Sequence, residues 1–263
     1  MKLSIVIQYY NRKPLLINTL NSITHTKVNL DDIEVIITDD ASSEPHSIDD
    51  IHELFPQLNI KLYKFTADEK WWHCPVIPAN KGIAMASGDI IMLLGAECML
   101  VGDVIHDVCT RINPNDYLVY STLSIGDGDT NKLQHMQYAD IVRSPFNGFW
   151  YQHSQYNNHK YNFCTAILRN EMIELGGFDE RYGWGVDYGD TDFVLRLTRK
   201  GVNFITVDSP FVYHQHHEKF IYTEFDTRVD LEARNGRLTD GELYNYILNH
   251  EPNNIKATNS FLN

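Results

Sequence analysis

LSIVIQYYNRKPLLINTLNSITHTKVNLDDIEVIITDD, residues 3–40, decides the fold of this chain. Leu3 to Tyr9 is a near-continuous apolar run, as expected of a strand buried on both faces in a parallel sheet. Asn11 then stands where it can cap a helix, Pro14 falls in the first turn, and Leu16, Leu20 and Ile23 share one face. Ile33 to Thr38 is a second apolar run, ending in Asp39-Asp40-Ala41-Ser42-Ser43. A strand, a helix and a strand of this kind make a β-α-β unit, and its two strands run parallel.

Outward from that unit the alternation continues. A short helix is expected near Ser47–Phe55, a third strand at IKLYKF (60–65), a helix over about 79–87, and a strand at Ile90–Leu94 after a Gly-Asp turn. Val101, Val104, Ile105, Val108, Cys109 and Ile112 follow helical spacing, so 101–112 reads as a helix with one buried face. YLVYSTL (117–123) is a further strand. The pattern predicts an α/β fold with a mostly parallel central sheet, flanking helices, and ligands at the carboxyl ends of the strands.

From Ser124 to Asn162 the periodicity fades, and SPFNGFWYQHSQYNNHKYNF is polar and aromatic-rich. Such a connection reads as a functional loop or lid. NFCTAIL (162–168) is a strand, NEMIELGG a short helix stopped at Gly176–Gly177, and DTDFVLRLTRKG a helix ending at Gly201. VNFITV (202–207) and FVYH (211–214) read as later strands, and the C-terminal end carries helical pieces. No repeat or linker divides the chain.

The composition bounds the function. With 263 residues and 43% apolar side chains the chain can bury a large core. A net charge of −13 argues against broad binding to nucleic acid or anionic lipid. No run approaches the roughly 20 apolar residues that cross a bilayer, and MKLSIVIQYY lacks a signal-peptide cleavage site. Cys74, Cys98, Cys109 and Cys164 form no CxxC pair, which favours reduced thiols over a zinc site. A cytoplasmic location is expected, and peripheral attachment to a membrane is compatible with it.

The chemistry concentrates in GGFDERYGWGVDYGDTD, Gly176–Asp192. Tyr182 and Trp184 stand among glycines, and Asp187, Asp190 and Asp192 follow. Aromatic faces beside carboxylates suit a sugar, which needs a ring to stack on and acceptors for hydroxyls. Asp190 alone is also a plain helix N-cap candidate. Three other polar segments end strands: Gln8-Tyr9-Tyr10-Asn11-Arg12, Asp39-Asp40-Ala41-Ser42 and Gly95-Ala96-Glu97.

Taken in order, SIVIQYYNR, IITDDAS, NKGIAMASGDIIMLLGAE and GGFDE…DTDFVLRL resemble the family-2 glycosyltransferases of GT-A fold. The GWG element is similar to the C-terminal part of the β-1,4-galactosyltransferase type. The resemblance covers about residues 2–215. It implies a GT-A domain over 1–215, with 1–123 as the nucleotide-binding half and 124–215 as the acceptor and catalytic half. Residues 216–263 would then be an extension packed on the same domain.

By the resemblance, Asp39 and Asp40 hold the base or ribose of a nucleotide-sugar donor, and Tyr10 and Asn11 help to form its pocket. Glu97 falls at the metal-binding carboxylate, His214 at an additional metal or diphosphate ligand, and Asp190 at the general base. Trp184, Gly185 and Asp187 would border the sugar, and Trp150 and Tyr151 would stack the acceptor or cover the donor. The physical reasons are independent of the family. A diphosphate leaving group needs its charge neutralised, and carboxylate with one His suits Mn²⁺ or Mg²⁺ better than zinc. An Asp on the opposite face accepts the proton of the attacking hydroxyl, giving inversion with no covalent intermediate. The expected donor is a UDP-sugar, and the expected acceptor a carbohydrate or glycoconjugate.

Three departures stand out. Gly95 replaces the first acid of the family's Asp-x-Asp motif, Gly189 replaces the acid before the base, and Ala79 replaces an arginine. In another register Asp187 is the base; Asp190 is preferred because Asp190-x-Asp192-Phe193-x-x-Arg196 keeps the helix pattern. Two rivals follow: a degenerate protein that binds without turnover, and a nucleotidyltransferase. The second is disfavoured by the missing Gly-rich phosphate loop. Trp71 and Trp72 line a site or pack the sheet, His216 and His217 are further ligand candidates, and Cys98 reads as a small buried residue.

Overall fold

The computed structural model describes residues 1–143, 146–185, 188–218 and 238–262. In chain order it runs β1 (Leu3–Tyr9), α1 (Lys13–Ile23), β2 (Ile33–Asp39), α2 (Ile51–Leu54), β3 (Asn59–Lys64), α3 (Val76–Met85) and β4 (Ile90–Leu94). Then come β5 (Cys98–Val101), α4 (Val104–Arg111), β6 (Asp116–Ser124), α5 (Asp127–Leu133), α6 (Tyr138–Arg143) and β7 (Phe149–Gln152). The described chain ends with β8 (Cys164–Leu168), α7 (Arg169–Leu175), α8 (Gly189–Lys200), β9 (Asn203–His214) and α9 (Asp240–His250).

The strands form one nine-stranded sheet in the order β3-β2-β1-β4-β8-β6-β9-β5, with β7 paired to β6. The α/β class and the helix-flanked central sheet hold. The parallel pairings are confined to β3-β2-β1-β4 and to β6 with β9. Strand β8 runs against both its neighbours, and β5 and β7 are antiparallel to theirs. A strand buried on both faces, as Cys164–Leu168 largely is, has no polar side to betray its direction.

Alternation along the strands divides the core into two layers. Ile5 and Ile7 pack with Leu16, Leu20 and Ile23 of α1 and with Val104 and Val108 of α4. Val6 and Ile36 point the other way, onto Ile83 of α3, Met172 of α7 and Phe193 and Leu197 of α8. Each such aliphatic side chain, fully buried, contributes about 1.5–3 kcal/mol. The parallel register sets Tyr9 beside Asp39, so the chain leaves β1 and β2 at the same end of the sheet. The C-terminal end packs on this body: Ala257 N donates to Leu175 O, Asn259 Nδ2 donates to Gly176 O, and Leu243 and Ile247 cover Tyr182.

Four expectations change. Asn11 does not cap α1. It takes a left-handed φ of 51°, and its carboxamide oxygen accepts from Ser43 N, while Arg12 occupies the cap position. The helix expected from Val101 starts at Val104, because Gly102 (φ 82°) breaks the chain and Asp103 caps the new start by accepting from His106 N. Val101 instead ends β5, and it is the one residue of that strand that fell on the helical spacing. The expected loop 124–162 holds α5, α6 and β7, and the two strands at 202–214 are one strand, β9, irregular near Pro210.

Candidate active site

The polar segments converge on a groove at the carboxyl ends of β1, β2 and β4. Gln8, Pro75, Gly95 and Glu97 line both of its parts. One part, about 390 Å³, adds Tyr10, Arg12, Asp40, Lys70 and His73. The other, about 310 Å³, adds Asn162, Phe163, Tyr188, Gly189 and Asp190. The structure therefore brings Tyr10, Asp40, Glu97 and Asp190 to one groove, from segments far apart in the chain.

In the first part, Asp40 is buried and fully engaged. Its carboxylate accepts from Trp72 Nε1 at 2.7 Å and from Lys70 Nζ at 3.0 Å. Burial raises its pKa, and Lys70 and Trp72 oppose that rise. Lys70 Nζ also lies 4.1 Å from the Tyr10 ring centroid, and that ring is 38% exposed. An exposed ring beside an ammonium offers a stacking face and a positive charge together. Asp39 turns inward, its Oδ1 accepting from Ser42 N, and Asn11 ties the same turn through Ser42 and Ser43. These two residues shape the loop from behind.

Glu97 sits between a guanidinium and an imidazole. Arg12 Nη1 is 2.9 Å from Oε2, and His214 Nε2 is 3.5 Å from Oε1. Burial would raise the Glu97 pKa, but the His214 hydrogen bond and the charge of Arg12 hold it well below the usual carboxylate range. The β5–β9 pairing sets His214 opposite Cys98, which is why a residue so distant in sequence meets Glu97. Glu97, His214 and His217 offer ligand atoms that all lie within 4.8 Å of one another. His214 Nδ1 is buried with no hydrogen-bond partner among the described residues. One carboxylate and two imidazoles in this arrangement fit a divalent cation, with the second histidine beyond the one expected. Burial also lowers the His217 pKa, which favours the neutral, ligating form of its ring.

Asp190 lies in the first turn of α8 in wholly different company. Asn162 Nδ2 donates to its Oδ1 at 2.7 Å, and the Tyr117 hydroxyl, 2.9 Å from Thr165 Oγ1, holds Asn162 Oδ1. Gly189 explains one departure: a Cβ there would stand 3.0 Å from Val76 and 3.3 Å from Cys74, so glycine lets α8 approach the groove wall. Behind Asp190, Asp192 and Arg196 form a buried ion pair at 2.8 Å, and Arg196 Nη1 donates to Leu175 O. That pair fixes the start of α8 against α7. Asp187 lies outside the described residues.

The aromatic candidates separate. Tyr151 stacks on Phe163 and meets His214 edge-on, with centroids 5.0 Å apart, so it borders the Glu97 cluster. Trp150, its neighbour on β7, points to the opposite face and packs with His153, Tyr156 and Phe211. Trp184 packs against Trp71 and lines another cavity, about 440 Å³, with Arg181 and Leu243. Gly185 backs onto Asp240. Sequence reasoning missed Arg12, Lys70 and Asn162 as groove residues; Arg12 stood in a quoted segment, but Lys70 and Asn162 carry no local pattern.

Known proteins share this architecture. The chain is 33% identical over 205 residues to the uncharacterized glycosyltransferase YwdF of Bacillus subtilis (strain 168), covering 76% of this chain and 69% of that protein. It is 27% identical over 246 residues to an Escherichia coli chondroitin synthase, covering 81% of this chain but spanning only 34% of that larger protein. The structure of S. aureus TarS 1–349 in complex with UDP has the same fold, with a TM-score of 0.63 and 14% identity over 96% of this chain and 74% of that one. No described helix is long and apolar enough to cross a membrane. The model of the glycosyltransferase-like family 2 matches residues 4–253, and the chain belongs to that family.

Proposed function

We propose that the protein is an inverting, metal-dependent glycosyltransferase. It moves a hexose or N-acetylhexosamine from a nucleoside diphosphate sugar, a UDP-sugar in the first instance, to a hydroxyl of a glycan or glycoconjugate. Family membership supports glycosyl transfer from a nucleotide-sugar, and TarS, a fold relative, is known with UDP bound. The observation that carries the finer reading is the pair of carboxylates lining one groove, Glu97 beside the Arg12 guanidinium and the His214 ring, and Asp190 beside the Asn162 amide.

In this reading the base stacks on Tyr10 with Asp40 and Lys70 beside it, and the diphosphate reaches Glu97. Mn²⁺ or Mg²⁺ held by Glu97, His214 and His217 would supply positive charge to the leaving diphosphate. Asp190 accepts the proton of the acceptor hydroxyl as its oxygen attacks the anomeric carbon. Attack from the face opposite the diphosphate inverts that carbon in one displacement. Asn162 holds the carboxylate without neutralising it. The described C-terminal residues 238–262 belong to the same domain, and the GWG element, similar to the β-1,4-galactosyltransferase type, buttresses the groove wall: Gly183 O accepts from His73 N at 2.7 Å.

The test is nucleotide release from a panel of UDP-sugars with Mn²⁺, and with chelator, with and without a glycan acceptor. Metal-dependent UDP release, accelerated by acceptor, is expected. Nucleotide binding with no sugar released or transferred from any donor would leave the non-catalytic binding protein as the correct reading.

A further inference from the structure

Beyond Asp190, away from Glu97, lies a further cavity of about 310 Å³. It shares Tyr161, Asp190 and Thr191 with the groove, so the two meet at the carboxylate assigned as base. Thr191, Val194, Leu195 and Thr198 give it a floor. Their spacing of three, four and seven residues is one face of α8, and it runs about 10 Å from end to end. That length exceeds a single sugar ring. Tyr161, 37% exposed, and Tyr244 of α9 supply aromatic walls.

Among the described residues the cavity carries one permanent cation, Lys160, with His159 next to it. Of the described lysines, Lys13, Lys61, Lys64, Lys70, Lys132 and Lys200 each lie within 3.0 Å of a carboxylate. Lys160 has no such partner among the described residues. Its one hydrogen bond is to Asn158 Oδ1 at 3.4 Å, and its ammonium stands 5.5 Å from the Phe204 ring. Of the described residues, Asp190 is the cavity's sole carboxylate. An uncompensated ammonium in a half-enclosed, aromatic and hydroxyl-lined cavity favours an anion over a neutral group.

We infer that this cavity binds the second sugar of the acceptor, and that this sugar bears an anionic group, a carboxylate or a phosphate, which Lys160 contacts. The inference rests on the proposed function, since it takes Asp190 to mark where the acceptor hydroxyl sits. A hydroxyl at Asp190 leaves the neighbouring ring over Thr191–Thr198, within reach of Tyr161 and Lys160.

Three disaccharides serve as probes, alike except that the ring distal to the attacking hydroxyl is a hexuronic acid, a hexose 6-phosphate or a neutral hexose. Calorimetry in the presence of UDP and Mn²⁺ measures their binding without needing turnover, and transfer assays give kcat/KM for each. The inference expects at least one anionic probe to be preferred over the neutral one by about tenfold. It also expects that preference to fall to about twofold or less in Lys160→Met, with Lys160→Arg retaining it. The arm that shows the preference tells carboxylate from phosphate. Equal binding of all three probes, or a preference untouched in Lys160→Met, overturns the inference. Absence of transfer from every donor refutes the proposed function instead, and the calorimetric arm still decides the anionic site.

Discussion

The two carboxylates of the groove are held in opposite ways. Glu97 is flanked by a guanidinium at 2.9 Å and an imidazole at 3.5 Å, and its negative charge is fixed by them. Asp190 receives a neutral amide N–H at 2.7 Å from Asn162, itself held by the Tyr117 hydroxyl. A carboxylate surrounded by positive charge keeps its charge and can hold a cation, but it is a poor proton acceptor. One oriented by an amide donor has the aim that a general base needs. The contrast supports the proposed division of roles between cation ligand and base.

The largest effect should come from Asp190→Asn, which keeps the hydrogen-bonding shape and removes the basic oxygen. Transfer should fall by about 10³-fold, within the usual range for general base catalysis. UDP affinity, measured by calorimetry, should stay near that of the parent. Equal transfer rates in variant and parent would refute the assignment and pass the role to Asp187.

Glu97→Ala should break the other side of the contrast. UDP affinity in Mn²⁺ should weaken about 100-fold, and the difference between Mn²⁺ and chelator should vanish. The same affinity with and without Mn²⁺ in the parent protein would remove the cation from the site. Trimming His217 to Ala should weaken Mn²⁺ binding less, since two of the three proposed ligands remain.

Glu34 is a scaffold counterpart to Glu97, and it separates stability from catalysis. It accepts from Ser4, from the backbone and hydroxyl of Ser87, and pairs with Lys61 at 2.6 Å. Burial pushes its pKa up, but these partners bring it down to about 2. A depressed carboxyl stabilises the fold fully above its unfolded pKa, near 4.5, and that contribution fades as pH falls toward 2. By pH 3 the parent should have lost about 2 kcal/mol through this group. Urea unfolding at pH 7 and pH 3 should show a smaller loss in Glu34→Gln; an identical loss would mean that other carboxyls govern the acid limb.

Legibility in the sequence divides along the same line. The Glu97 half was readable because β1 to β4 are parallel strands joined by short helical crossovers, so hydrophobic period and turn chemistry agree from Leu3 to Glu97. The half built from β5 to β9 was harder. Cys98–Val101 is short enough to merge with the helix pattern of Val104–Val108, and β8 is buried without a direction. His214 could be placed only by the family resemblance, because the β5–β9 pairing that carries it to Glu97 leaves no local trace. Asn162 and Lys160 lie in the polar stretch before β8, where no period marks which side chains face the groove.

The smallest effect tests the neutral half most directly. Asn162→Ala removes the donor to Asp190 Oδ1 but neither charge nor proton acceptor. If the amide serves to aim the carboxylate, kcat should fall about tenfold, the value of one well-placed hydrogen bond. The donor KM should move less, because Tyr10, Asp40 and Lys70, the proposed nucleotide contacts, line the other part of the groove. Tyr117→Phe, one step further back, should give a milder version of the same split, since it frees Asn162 without deleting it. A tenfold rise in donor KM with kcat intact would place Asn162 against the donor sugar, and the division of the groove into a cation-held and a neutrally held carboxylate would have to be redrawn around that contact.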